Sequence, residues 1–321
     1  MIQNERSEDL YSEVRERTLE MSDKFPIALA DNFWVLGNYY FNLYLVKGKN
    51  ASALIEVGVS AVVDSVIMQL DSLNISPQYI VVTHPHADHV TGLGGLREKF
   101  PEAMLVAGKG AKEFLTHPKA LPVLMKEDRF MSGMLSHIGN RPGRSPVTEF
   151  FFPEIHVAVK DEYEIDLGDI VLRCIKVGGH SPGNIVVHIS NIDALILSDS
   201  LGFHYPGRGF LPLFLCDFIE YLHTINRMKS LKPKILGLGH QGPIIGSHVE
   251  SAFRDARQAA LKMLSRVMEE REDNDIISNE IFRECYRDEF TVYSEENIRN
   301  VAQLLVRRSR ETISLGVNPS P

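Results

Sequence analysis

The run THPHADHVTG, from Thr83 to Gly92, follows the apolar stretch YIVV. It sets His84, His86, Asp88 and His89 at the end of what reads as a buried strand. A single histidine there is ordinarily a hydrogen-bonded core residue. Four metal-competent side chains together have no packing role, because buried polar groups are costly unless partnered. The strand end must therefore open onto a site, as the carboxyl ends of strands do in open α/β sheets.

Periodicity supplies the frame around it. NFWVLG (32–37), FNLYLVKG (41–48) and SALIEVG (52–58) are short β-type runs broken by Gly and Asn. Residues 59–74 switch to helical spacing, with Val62, Val66, Met68 and Leu70 mostly to one side. A helix follows the opening motif, and 103–108 is a strand. Residues 110–137 read as two helices around the turn at His117-Pro118, and 140–153 as a loop. Strands resume at 155–159 and 170–177, with DLGD (166–169) as the turn between, then at 184–190 and 194–199. A helix (218–231) and a last strand (234–240) end this pattern. Beyond Ser247 the chain is helical. Val249, Phe253, Ala256, Ala260, Leu264 and Val267 share one face, as do Ile298, Val301, Ala302 and Leu305, with Ser294 as an N-cap. The reading is an N-terminal helical segment (1–24), an α/β catalytic domain (25–246) and a C-terminal helical extension (247–321) that packs on it.

Three later segments repeat the opening design of a strand, small residues and one metal-competent side chain. VGGHSPGN carries His180, LILSDSLG carries Asp199 and LGLGHQGP carries His240. Alternation puts His84 and His86 on one side of the chain. Asp88 and His89 sit where it bends and face a neighbouring position. Imidazoles and carboxylates suit zinc, iron or manganese. Seven such ligands are too many for one tetrahedral ion and right for two ions about 3.5–4 Å apart.

THPHADH with His180, Asp199 and His240 resembles the metallo-β-lactamase-fold hydrolases, over residues 32–246. The resemblance implies an αββα sandwich with the site at one edge of its two sheets. It implies that His84, His86 and His180 hold one of two divalent transition-metal ions (Zn, or Fe/Mn). Asp88, His89 and His240 hold the other, and Asp199 bridges both. An Asp rather than a Cys at 199 is similar to the glyoxalase-II branch. Glu56, SDSLGF and the long C-terminal helices are further similar to the PqsE-like thioesterases, which implies a helical lid over a narrow site. Asn184 and Ser198 depart from the pattern, where many relatives have His and Gly.

The function implied is a dinuclear metal-dependent hydrolase with a metal-bridging hydroxide, acting on a small-molecule thioester or ester, acyl-CoA-like or lactone. Asp88 is the catalytic candidate, orienting the hydroxide and shuttling its proton. His204, Tyr205 and Arg208 follow Asp199 closely enough to line the mouth, and Asn297 faces the site if the helices form a lid. His117, His137, His156, His188, His223 and His248 are isolated and read as surface or structural residues. A phosphodiesterase or nuclease on the same fold is the alternative, and a regulatory protein with little turnover is another. A net charge of −8 and no Lys/Arg-rich segment disfavour nucleic acid. The 321 residues can bury a core without staples, so a bound metal serves chemistry. Three scattered cysteines, no signal-like N-terminus and no apolar span point to a cytoplasmic protein without membrane contact. The apolar faces of the C-terminal helices also allow a homodimer.

Overall fold

The computed structural model describes residues 24–316, apart from 141–142, 150–151 and 271. The N-terminal helical segment read at 1–24 lies, but for Lys24, outside the described residues. The first sheet contains β1 (Ile27–Ala30), β2 (Phe33–Gly37), β3 (Asn42–Lys47), β4 (Ser52–Ile55), β5 (Tyr79–Val82), β6 (Met104–Gly108) and β7 (Val157–Val159), bonded in chain order. β1 to β4 form an antiparallel meander, and β4 to β7 run parallel. Parallel neighbours need crossovers, and here these carry the helices Val63–Ser72, Leu93–Lys99 and Ala120–His137. The second sheet takes β8 (Glu162–Asp166), β9 (Val171–Lys176), β10 (Ile185–Ile189) and β11 (Ala194–Ile196). After the hairpin β12 (Phe203–Tyr205) and β13 (Gly209–Leu211), it is completed by β14 (Ile235–Gly237) and β15 (Ile244–Ile245).

Strand alternation explains the layers. Val81, Val106, Tyr44 and Ile55 point between the sheets and meet Leu172, Cys174, Val187 and Ile196. Their neighbours Ile80, Val82, Leu105 and Leu54 point outward to Val63, Val66 and Leu70 of a crossover helix. In the second sheet Val186, Leu195 and Leu236 join the same outer cluster as Phe218, Tyr221 and Ile225 of the helix Phe218–Lys229. The result is an αββα sandwich, the fold class the sequence implies.

Direction places the site. β9 and β11 both run antiparallel to β10, and β14 runs parallel to β11. The carboxyl ends of β9, β11 and β14 therefore share one edge. The end of β5 joins that edge: Ile185 N–H donates to the Thr83 carbonyl at 2.8 Å, and Asn42 N–H donates to the Gly239 carbonyl at 2.8 Å.

Beyond the body lie the helices His248–Glu269, Asn274–Cys285 and Glu295–Ser314. Val249, Phe253, Ala256, Ala260, Leu264 and Val267 are all buried, and so are Ile298, Ala302 and Leu305. Ser294 caps the last helix by accepting from Asn297 N–H at 3.2 Å. These helices pack on the body. Tyr39 Oη donates to Glu289 at 2.9 Å, and Arg308 donates to the Leu215 carbonyl at 3.0 Å.

The structure departs from the sequence reading in several places. The first crossover helix starts at Val63 after a 3-10 turn, and Met68 is 64% exposed because it lies off the Val63–Val66–Leu70 stripe. β8 falls within residues read as leading into a turn. Its EYEID sequence is almost wholly exposed and charged, so it lacks the apolar alternation that marks a strand. β12 and β13 are three residues each, too short to show a period.

Candidate metal centre

Each candidate ligand follows the carboxyl end of a strand. His84 comes directly after Thr83 at the end of β5, His86 stands at the N-cap of the short helix Ala87–Val90, and Asp88 and His89 lie in it. His180 follows β9, Asp199 sits in a 3-10 turn after β11, and His240 follows β14. Folding brings all seven together and buries them, His86 less fully than the rest. One group is His84, His86, His180 and Asp199. The other is Asp88, His89, His240 and Asp199. Within each group the ligand atoms lie within 4.8 Å of one another.

Asp199 belongs to both. Its Oδ2 lies 3.8 Å from His84 Nε2, 3.8 Å from His180 Nε2 and 3.6 Å from His89 Nε2. Its Oδ1 lies 3.4 Å from His240 Nε2. Asp88 Oδ2 stands 3.3 Å from His89 Nε2 and 3.4 Å from His240 Nε2.

The rings are held from behind. His180 Nδ1 bonds the Leu213 carbonyl at 2.9 Å and His240 Nδ1 the Tyr40 carbonyl at 2.6 Å. A carbonyl only accepts, so both Nδ1 atoms carry a proton and both Nε2 atoms face inward. His89 Nδ1 lies 2.9 Å from Glu56 Oε2. Thr83 Oγ1 donates to Glu56 Oε1 at 2.6 Å and so accepts from His84 Nδ1 at 3.0 Å. Glu56 lies near enough to His84 and His89 to suggest a third cation group. Its two oxygens are already taken by Thr83 and His89, which makes it the support behind those rings. Carboxylate and carbonyl partners of this kind fix the orientation of ligating histidines.

Two observations fit this cage to cations. His84 Nε2 and His89 Nε2 are buried without any hydrogen-bond partner, although both point at carboxylates. Such orphaned atoms are expensive in a protein interior unless something satisfies them. The charge balance agrees. Burial, then the neighbouring imidazoles, hold His84 well below the ordinary imidazole range. Burial and His180 push His86 down to about 3, and burial lowers His180 as well. These three rings are neutral and offer lone pairs. Burial also opposes charge on His89 and His240, but the carboxylates overcome it. Asp88, Glu56 and Asp199 hold His89 well above its usual value, and Asp199 and Asp88 raise His240 to about 9. Burial disfavours ionised Asp88 and Asp199, yet His89 and His240 keep both far below the usual carboxylate range. The carboxylates thus demand positive charge at the centre of the cage, which divalent cations would supply.

The backbone is bent to suit. Glu56, Ser198 and Gln241 all adopt positive φ, at 74°, 49° and 56°. Strain of this kind concentrates at functional sites. A Cβ on Gly239 would lie 2.8 Å from His89 Cε1 and 3.1 Å from Asp199 Oδ1, so only glycine lets the chain pass.

Tyr293, which the sequence reading missed, enters from the C-terminal extension. Its hydroxyl donates to Asp88 Oδ2 at 2.9 Å and lies 3.2 Å from His240 Nε2. Burial, then Asp88 and Asp199, raise its pKa well above the usual phenol value, so it stays a donor. A cavity of about 590 Å³ opens over the cage, lined by His86, Asp88, His180 and Asp199 and walled by the extension.

The expected substrate contacts divide. Asn297 lines this cavity. His204 does not: along β12 the side chains alternate, so Phe203 faces the cage while His204 stacks near Phe210 over a different cavity. Tyr205 is buried against Phe290 and donates to the Cys285 carbonyl at 2.8 Å. Arg208 pairs with Asp288. Asn184 lies behind the site, donating to Ser200 Oγ at 2.6 Å. His117 stands exposed at the rim, and His156 accepts from Leu105 N–H at 3.0 Å, a structural role.

Comparison with known proteins adds the family context. Residues 38–240 match the family described as the Metallo-beta-lactamase superfamily. Over 202 residues the chain is 28% identical to a metallo-beta-lactamase fold-containing protein of Sulfurisphaera tokodaii, covering 62% of this chain and 72% of that protein. The solved structure of an archaeal metallo-beta-lactamase superfamily protein from Sulfolobus tokodaii has a TM-score of 0.53 at 22% identity, covering 85% of this chain and 93% of that one. A hydroxyacylglutathione hydrolase 1 of Vibrio vulnificus is 35% identical over 71 residues, 22% of this chain and 26% of that protein.

Proposed function

The chain belongs to the metallo-beta-lactamase superfamily, and on that footing we propose that it is a dinuclear metal-dependent hydrolase of thioesters or esters. The observation that carries the proposal is the pair of ligand groups joined through Asp199, with two orphaned imidazole nitrogens aimed between them. Bound divalent ions supply such a site with an ionised water at neutral pH and with Lewis acidity toward a carbonyl. The chain's own residues do the rest. Asp88, held ionised, accepts a hydrogen bond from the attacking water and orients it. Tyr293 holds Asp88 in place by donating its hydroxyl proton to Oδ2. The apolar walls keep bulk water away and strengthen each of these interactions.

Similarity to a hydroxyacylglutathione hydrolase supports a thioester or ester as substrate. The cavity walls weigh against a phosphodiester. The basic lining residues, His117 and Lys119, are exposed at the rim, and Glu113 and Glu127 offset them. The free cysteines fit a reducing cytoplasm. Among the described residues no helix is long and apolar enough to cross a membrane.

The experiment is elemental analysis of the protein with an assay of an acyl thioester beside a bis-aryl phosphodiester. Two transition-metal equivalents per chain and thioester turnover abolished by a chelator are expected. Turnover of the phosphodiester alone would replace this reading. If His86→Ala abolished hydrolysis and left the biological activity intact, a regulatory role would stand instead.

A further inference from the structure

Two helices face each other across the cavity, and each turns apolar side chains into it. The helix Ala120–His137 turns Val123, Leu124 and Met131 inward, a spacing that keeps them on one face. The helix Glu295–Ser314 turns Ile298, Val301 and Leu304 toward them. Phe114, Leu213 and Phe290 close the sides. The helices are pinned together near one end, where Lys126 pairs with Glu296 and Ser294 donates to Glu127. Further along they stay apart. The lining grades from exposed residues at the rim, Glu113, Lys119, Val123 and Asn300, through the buried Leu124, Met131 and Ile298, to the cage itself.

We propose that this cavity binds an alkyl arm of the substrate, with the ester or thioester bond at the cage and the arm lying between the two helices. The inference rests on the hydrolase reading and narrows it. Continuity with the cage makes the arm part of the reacting molecule. The volume, about 590 Å³, falls within the range of pockets that bury most of a small ligand. The polar half of the substrate is uncharged and compact. A nucleotide-bearing leaving group such as coenzyme A brings several phosphate charges, and the lining meets them with Lys119 and His117 against Glu113 and Glu127. Hydrolysis balances simply: water adds across the acyl bond, giving a carboxylic acid and the thiol or alcohol.

The test is a series of N-acetylcysteamine thioesters from acetyl to decanoyl. The kcat/KM should rise about fourfold for each methylene that enters the cavity, the worth of burying one CH2, and then level off. Octanoyl-coenzyme A should be the poorer substrate beside the octanoyl N-acetylcysteamine thioester. Val301→Trp, which fills the space between the helices, should lower the decanoyl-to-acetyl ratio of kcat/KM about tenfold or more. Leu304→Trp serves if the first variant does not fold. Titration with a non-hydrolysable decanoyl amide should show binding with a negative heat-capacity change. Turnover without chain-length dependence, or an unchanged ratio in both Trp variants, overturns the alkyl-arm site and leaves the hydrolase reading intact. Length-dependent binding of amides with no hydrolysis of any acyl compound keeps the site and sinks the hydrolase reading.

Discussion

The two halves of the cage hold four candidate ligands each when the shared Asp199 is counted in both, yet they are electrostatic opposites. Around His84, His86 and His180, burial and mutual repulsion strip the rings of protons. Around His89 and His240, two carboxylates pull charge in. The first half would attract a cation through lone pairs and the second through the charge of its carboxylates as well. The difference comes from one local event, the bend of the chain at Ala87–Val90 that carries Asp88 and His89 away from the line of His84 and His86.

Asp199 is the one ligand both halves share, so its removal should erase the contrast. Asp199→Ala is expected to cost metal from both positions, read by elemental analysis, and to lower hydrolysis by more than about a hundredfold. That is the upper end of what even indirect partners of a metal cost. Loss from one position alone would show that Asp199 serves only that half.

Glu56 supports a ring in each half, directly at His89 and through Thr83 at His84. Glu56→Gln should weaken metal affinity about 10- to 100-fold, measured by chelator competition. The loss should be greater at the His89 side, where the carboxylate makes direct contact. Equal losses on both sides would mean that Thr83 transmits the support fully.

Tyr293 touches only the second half. Tyr293→Phe should leave metal content at the His84 side unchanged and lower unfolding free energy by about 1 kcal/mol, since it removes a buried hydrogen bond. Denaturant titration checks the second figure.

The smallest effect lies outside both halves. Burial lifts the Glu127 carboxyl above its ordinary value despite the hydrogen bonds from Ser294. The folded state therefore holds this proton more tightly than the unfolded one, and ionisation of Glu127 removes stability as pH rises through the carboxylate range. Glu127→Gln should accordingly gain stability at neutral pH, and the gain should vanish on acidification below the ordinary Glu range. A loss at neutral pH would show that the Ser294 contacts outweigh the burial.

The candidate ligands were legible in the sequence because each is a polar residue where a strand ends, a position that packing alone does not explain. The sandwich was legible from apolar runs bounded by Gly and Asn. Tyr293 was not. It reaches Asp88 from 205 residues away, just after a short 3-10 segment with no periodicity to announce it. Glu56 was noticed as a point of resemblance, but its hold on His89 depends on a backbone turn with positive φ. His204 was misplaced because proximity to Asp199 in sequence says nothing about which face of a three-residue strand it occupies. The same positive φ at Ser198 gives a physical reason for the glycine of many relatives.

The phenol of Tyr293 has a consequence for how this molecule comes apart. A tether from the extension to Asp88, beside the contacts at Glu289 and Ser294, ties the last helices to the ligand cage. Amide protons of the terminal helix and of Ala87–Val90 should then exchange through a shared cooperative opening, without independent fraying of the tail. A chain shortened before residue 288 is for this reason no minimal catalyst: it would bare the surface that Ile298, Leu305 and Val306 now cover and lose the wall of its own cavity.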